Sequence, residues 1–152
     1  MKNKSDLSLN INFNTPLYSI GIVAELLNVS VHTIRLYENE GLIIPFKKDS
    51  KHRLFTQNDV LRLKCIIIAI RDNKFSISAI KTIFAMIPCW KIKNCSNENR
   101  KNCEAFKGHL MPCWTLKHNN NICSLQLCNQ CEVYINHTNC ENIKETIKAK
   151  TT

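Results

Sequence analysis

From Ser19 onward the apolar residues Ile20, Val23, Ala24 and Leu27 recur at i, i+3, i+4 and i+7, the spacing of one buried helical stripe. Ser19 stands just before them, where its hydroxyl can accept hydrogen bonds from the free amides of the first turn. Asn28 interrupts the stripe, and asparagine tolerates the left-handed conformation that a tight turn requires. Ser30 is placed to cap a second helix with Val31 and Ile34 inward, ending at Gly41, a residue suited to the position past a helix end. Two short helices joined by three or four residues predict a helix-turn-helix over about residues 20–39. Leu42–Pro45 and Leu54–Phe55 then form two apolar arms around a polar tip, which predicts a β-hairpin over about 43–55. Thr56 and Asp59 carry the Thr-x-x-Asp signal of a capping box, opening a helix with Val60, Leu63, Ile67 and Ile70 inward. Ser76 opens another, with Ile77, Ile80, Phe84 and Ile87 on one face. Cys65, inside the first of these, reads as a small core residue.

The chain has 152 residues, 44% of them hydrophobic, which predicts one ordinary domain or a small domain with an appendage. Residues 1–16 are rich in Asn, Lys and Ser and read as a flexible tail; without an apolar run they are not a secretory signal. The longest strongly apolar stretch, Cys65–Ile70, is too short to span a bilayer. The expectation is a cytoplasmic protein without a membrane partner, with its thiols reduced. The 21 Lys and Arg against 12 Asp and Glu give a net charge of +9, pointing to anionic partners, nucleic acid ahead of membrane.

That charge is concentrated where the pattern predicts a wing. The hairpin tip Lys47–Arg53 carries Lys47, Lys48, Lys51 and Arg53 against Asp49, with His52 besides. Cations on such a tip suit phosphate contacts. The outer face of the second helix carries His32, Thr33, Arg35 and Asn39, with Tyr37 close by. These are hydrogen-bonding groups on an element of the right width for the major groove, although a solvated helix face would look the same.

The run Tyr18-Ser19-Ile20-Gly21 to Ile34-Arg35-Leu36-Tyr37-Glu38-Asn39-Glu40-Gly41-Leu42-Ile43, the segment His52-Arg53-Leu54-Phe55-Thr56 and the later Phe75-Ser76-Ile77 with Ile80-Lys81 together resemble the winged-helix domain of MerR-type transcription regulators. The resemblance covers about residues 17–87, with Asn28 and Lys74 standing where glycines are common. It implies a homodimer on a pseudo-palindromic promoter or operator in double-stranded DNA, distorting the duplex to change how RNA polymerase engages it. By position it implies a phosphate-contacting helix start at Ser19, recognition-helix roles for Arg35 and Tyr37, and a wing role for Arg53. With the capping and outer-face residues, the expected DNA-binding set is Ser19, Ser30, His32, Thr33, Arg35, Tyr37, Lys51, His52 and Arg53. The long dimerisation helix usual after such a domain is not predicted, because Pro88 stops the chain and no heptad pattern follows. Glu141–Lys150 is predicted as a short helix, with Ile143 and Ile147 one turn apart.

Eight of the nine cysteines fall between Cys89 and Cys140. In a reducing compartment this pattern points to metal, iron–sulfur or redox chemistry rather than a disulfide framework. Only one Cys-x-x-Cys occurs, Cys128–Cys131, whereas zinc ribbons and fingers generally show two close pairs. Cys123-x4-Cys128-x2-Cys131 has the spacing of plant-type two-iron proteins without their fold. Cys89-Trp90, Cys95, Cys103, Cys113-Trp114 and Cys128-x-x-Cys131-x-x-Tyr134 resemble the two-CW domain, a small bacterial cysteine-rich module, which implies no particular ligand. Trp90 and Trp114 can shield a metal site or simply pack a small core.

The expected fold class is therefore mainly α with a small β-hairpin wing, a winged helix-turn-helix, followed by a small irregular cysteine-rich metal-binding domain over 88–140 and a short helix or tail over 141–152. The expected metal ligands are Cys89, Cys95, Cys103, Cys113, Cys123, Cys128 and Cys131, with zinc and an iron–sulfur cluster both open. Cys140 lies beyond the pattern, and with this many thiols none of His109, His118 and His137 is required as a ligand. The expected function is a non-enzymatic, sequence-specific transcription regulator that senses metal or redox state through the cysteine cluster. The alternatives are a DNA binder with a purely structural zinc module, a thiol redox or metal-carrier protein, and an architectural or phage-type DNA binder.

Overall fold

A computed structural model describes residues 12–108 and 110–151. Its first half forms the predicted elements for the predicted local reasons. Helix α1, Ile20–Leu27, is capped by Ser19, whose hydroxyl accepts from the Ile22 amide at 3.4 Å. Asn28 ends it in the left-handed region, at φ 51°. Helix α2, Val31–Asn39, is capped by Ser30 through the Thr33 amide at 3.0 Å. Helix α3, Gln57–Arg71, opens on the complete capping box. The Thr56 amide donates to Asp59 Oδ2 at 2.9 Å and the Asp59 amide to Thr56 Oγ1 at 3.0 Å. Helix α4, Ile77–Ala85, follows Ser76.

The wing is smaller than the hydrophobic pattern suggests, and it has a third strand. Strands β1 (Tyr18–Ser19), β2 (Phe46–Lys47) and β3 (Arg53–Phe55) form an antiparallel sheet ordered β1-β3-β2. Tyr18 pairs with Phe55 and Ser19 with Leu54, while Lys47 pairs with Arg53. Leu42 and Ile43, expected in a hairpin arm, are core residues at 0% and 1% exposure that precede the strand. Residues 12–16, expected in a tail, lie against α3, where the Asn58 amide donates to the Phe13 carbonyl at 3.2 Å. Residues 1–11, the rest of that expected tail, lie outside the described residues.

The second half consists of short pieces: α5 (Cys89–Ile92), α6 (Asn97–Lys101), 3₁₀ turns at Cys113–Thr115 and Cys128–Gln130, α7 (Glu132–Ile135) and α8 (Cys140–Thr151). Too little apolar surface is available for these to enclose a core alone. Trp114, Val133, Tyr134 and Ile143 join the same buried cluster as Val23, Ile34, Phe55 and Leu63 of the first half. Burying one such large side chain contributes about 1.5–3 kcal/mol, so the cysteine-rich half is held by the core of the first half. Ile143 is buried and Ile147 packs partly against the cluster, as the one-turn spacing in α8 requires. Cys65, read as a plain core thiol, is half-buried and disulfide-bonded.

Candidate nucleic-acid interface and thiol cavity

Helix α2 divides cleanly into two faces. Ile34 and Tyr37 point into the core, while His32, Arg35 and Asn39 are exposed and Thr33 is half-buried beside them. Ser19 and Ser30 are exposed at the starts of α1 and α2. Lys47 at the end of β2 and Lys48, Lys51 and His52 in the turn that follows are all exposed, and Lys51 adopts φ 62° at the tip. Positive charge and hydrogen-bonding groups thus share a surface formed by α2, the wing and two capped helix starts.

Two residues of the expected contact set are used otherwise. Tyr37 is only 6% exposed and belongs to the core; burial pushes its phenol above the ordinary range. Its ring faces inward because it stands three residues after Ile34 on the buried stripe of α2. Arg53 lies on β3 and donates through Nε to Glu38 of α2. Lys47 approaches the same carboxylate at 3.5 Å, and Glu38 is just 11% exposed. Arg53 therefore braces the wing against α2.

The structure brings Cys89, Cys95, Cys103, Cys113, Cys123, Cys128 and Cys131 to the wall of one cavity. That cavity holds about 30 Å³ of space for water-sized atoms. One such atom takes about 10–15 Å³, so there is room for more than one. The sulfurs ring this space: among the described residues, no three His, Cys, Asp or Glu side chains form a single-ion cage. The Cys113 thiol donates to Cys89, which lowers the Cys89 pKa and raises that of Cys113. Burial pushes the Cys95 and Cys128 thiols up and Cys123 up to about 11. Trp90 and Trp114 also line the cavity, and the charged side chains on its wall are the cations Lys93 and Arg100. Cys140's side chain and His109 lie outside the described residues. His137 is far from a ligand role, donating through Nδ1 to the Val133 carbonyl and accepting at Nε2 from Thr146.

The cavity wall is bonded directly to the end of α2 and the approach to the wing. Trp114 Nε1 donates to the Gly41 carbonyl at 2.8 Å, just past α2. The Tyr134 hydroxyl accepts from the Ile44 amide at 2.9 Å, before the wing, and donates to Asp59 Oδ1 at 3.1 Å. Arg62 of α3 is 1% exposed and donates to the Tyr134 carbonyl. Its guanidinium lies 4.0 Å from the Tyr134 ring centroid and 5.2 Å from those of Phe84 and Trp114.

Comparison with known proteins assigns the first half. Residues 18–87 match the model of the MerR HTH family of regulatory proteins. Residues 18–87 are a MerR-type helix-turn-helix domain. The HTH-type transcriptional regulator GlnR of Bacillus anthracis is 36% identical over 73 residues, 48% of this chain and 56% of that protein. GlnR of Bacillus cereus matches to the same extent. An HTH-type transcriptional regulator of Mycobacterium tuberculosis is 38% identical over 68 residues, 41% of this chain and 28% of that protein. The chain thus spans about half the length, or less, of these curated relatives. No solved structure matches it significantly.

Within the MerR-type domain, the second half of the chain makes contacts that the sequence pattern did not reveal. Gly41 has φ +74°, and a Cβ there would meet Thr115 Cγ2 at 2.5 Å. Spacing alone identifies Gly41 as a helix stop, but nothing in the sequence predicts the close approach of Thr115 and Trp114. Arg62 was also missed, since a cation on the polar-looking part of α3 carries no signal that three aromatic rings will surround it.

Proposed function

We propose that this chain is a sequence-specific transcription regulator that reads double-stranded promoter or operator DNA as a homodimer, in the cytoplasm, with RNA polymerase as a further partner. The observation that carries the DNA-reading role is the exposed polar face of α2 on a helix tied to the cationic wing through the Lys47–Glu38 and Arg53–Glu38 ion pairs. Arg35 is the candidate base reader, because an exposed guanidinium on a recognition helix can bond guanine in two places. Ser19, Ser30, Lys51 and His52 are suited to phosphate contacts that set register. Duplex affinity is expected to fall steeply as salt rises, since displaced counterions drive such binding. Fluorescence anisotropy with labelled duplexes, including one selected from a random pool, tests this; a salt-independent affinity overturns it.

The seven-thiol cavity is, in this reading, a cofactor site for zinc or an iron–sulfur cluster whose state alters DNA binding. Its bonds from Trp114 to Gly41 and from Tyr134 to Ile44 support that coupling, because they reach the end of α2 and the start of the wing. A structural role for the same cofactor is favoured by the shared core, which makes the second half part of the scaffold. Loading that changes stability but leaves operator affinity constant would select the structural role.

A further inference from the structure

Two unmatched polar atoms sit at the thiol cavity. His118 Nε2 lies 2.7 Å from the Cys113 carbonyl, which can only accept, so Nε2 carries the proton and donates. With Nε2 committed as the donor, Nδ1 is the ring atom open to a ligand, and it is buried with no hydrogen-bond partner. A backbone carbonyl fixing one imidazole nitrogen while the other stays bare is the arrangement found around metal-binding histidines. On the same wall Arg100 Nε is a buried N–H with no acceptor, while its guanidinium rests over the Phe106 ring at 5.6 Å.

An unused electron pair on His118 and an unused donor on Arg100, two residues that line one cysteine-rich space, suit a ligand that is electron-poor at one point and electron-rich at another. A zinc ion meets the first need; tetrahedral zinc thiolates would also draw four donors together at about 2.3 Å from one centre. Here the cysteines line a space of about 30 Å³ with room for more than one atom; of the two cations on its wall Lys93 is paired with Glu132 at 3.6 Å, whereas Arg100 Nε has no acceptor and suits a group of negative charge. We propose that the cavity seats a sulfide-bridged iron cluster held by cysteine thiolates and by Nδ1 of His118, with Arg100 Nε–H donating to a cluster sulfur. This rests on the cofactor-site reading above and identifies both its chemistry and a nitrogen ligand. Cys123, Cys128 and Cys131, with the two-iron spacing, are the core of the thiolate set.

The test uses the full chain, purified without oxygen and reconstituted with ferrous iron, sulfide and a thiol reductant. Iron and acid-labile sulfide are expected to co-elute with the protein in a fixed ratio. Pulsed electron paramagnetic resonance of the reduced wild type is expected to detect a directly bound histidine nitrogen, lost in His118→Cys. Replacing imidazole by thiolate is also expected to lower the midpoint potential of that variant, because histidine ligation raises cluster potentials. Arg100→Gln is expected to lower the potential as well, through loss of a hydrogen bond to sulfur. Zinc bound without sulfide overturns the cluster. A cluster without nitrogen coupling in the wild type overturns the role of His118. No metal at all overturns the cofactor-site reading too, whereas salt-dependent DNA binding is measured separately and stands or falls alone.

Discussion

The indole of Trp114 donates to the carbonyl of Gly41 at 2.8 Å, so the second Cys-Trp pair is bonded to the end of α2. Thr115, the next residue, packs where a Gly41 side chain would stand. The left-handed backbone at Gly41 therefore serves two purposes: it turns the chain out of α2, and it lets the cysteine-rich half approach.

Gly41→Ala is expected to destabilise the protein by about 1–3 kcal/mol, combining strain at positive φ with overpacking against Thr115. Thr115→Ser removes the colliding methyl group and should restore part of that loss. Urea denaturation of the single and double variants gives the coupling; purely additive effects would show that the close approach carries no energy.

Arg62→Met should cost far more than an ordinary surface substitution. The buried guanidinium holds the Tyr134 carbonyl and lies near Asp59, whose carboxyl is raised by its own burial. Removing one partner from such a buried arrangement typically costs about 3–5 kcal/mol. Arg62→Lys should recover little, since a point charge cannot stack against three rings. Equal stability of Lys and Arg at this position would refute the stacking role.

Tyr134→Phe isolates a single hydroxyl. It strands the Ile44 amide and removes a donor from Asp59, so a loss of about 1–3 kcal/mol is expected. Hydrogen exchange should show faster opening at Ile44 and the adjoining wing. Protection unchanged there would separate Tyr134 from the wing.

Arg35 and Arg53 should behave differently on DNA. Arg35→Ala is expected to weaken specific binding by about 1–3 kcal/mol and relax selectivity at one position. Lys51→Ala should weaken all duplexes alike and reduce the salt slope by about 1. Arg53→Ala, which leaves the largely buried Glu38 with Lys47 at 3.5 Å in place of two cations, should lower stability while leaving the salt slope nearly constant. A slope change with Arg53→Ala equal to that of Lys51→Ala would put Arg53 back on the phosphates.

His137 sets a pH dependence. It is 3% exposed, and burial lowers its pKa from the ordinary 6.5. Above pH 6.5 both folded and unfolded states hold it neutral, and its contribution is fully present. As pH falls below 6.5 the unfolded chain takes up a proton that the folded one refuses, so stability drops until the lower folded pKa is reached. The slope is at most about 1.4 kcal/mol per pH unit. Urea midpoints between pH 7.5 and 5.5 should decline for the wild type and lose this component in His137→Gln.

Local chemistry in the sequence was sufficient for the helices of the first half. Ser19, Ser30, Thr56 with Asp59, and Ser76 each stand where a helix starts, because capping needs only a side chain and amides two or three residues away. Asn28 and Gly41 likewise mark turns through their own backbone preferences. The apolar stripes of α1, α3 and α4 identify their buried faces for the same short-range reason. The family motifs, being strings of such local features, were equally legible.

Long-range pairing was not. Strand β1 exists because Tyr18 and Ser19 find Phe55 and Leu54, more than thirty residues away. Tyr37 and Arg53 carried sequence signals of DNA contact, yet core packing took one and Glu38 the other. The cysteine spacings identified seven thiols but not one cavity, and the lone pair of His118 became visible only once the Cys113 carbonyl lay beside Nε2. Composition and short-range pattern thus determined a basic reading head and a store of thiols. The tertiary structure decided that Trp114 and Tyr134 join them, because hydrogen bonds and buried area between distant segments depend on where the whole chain places them.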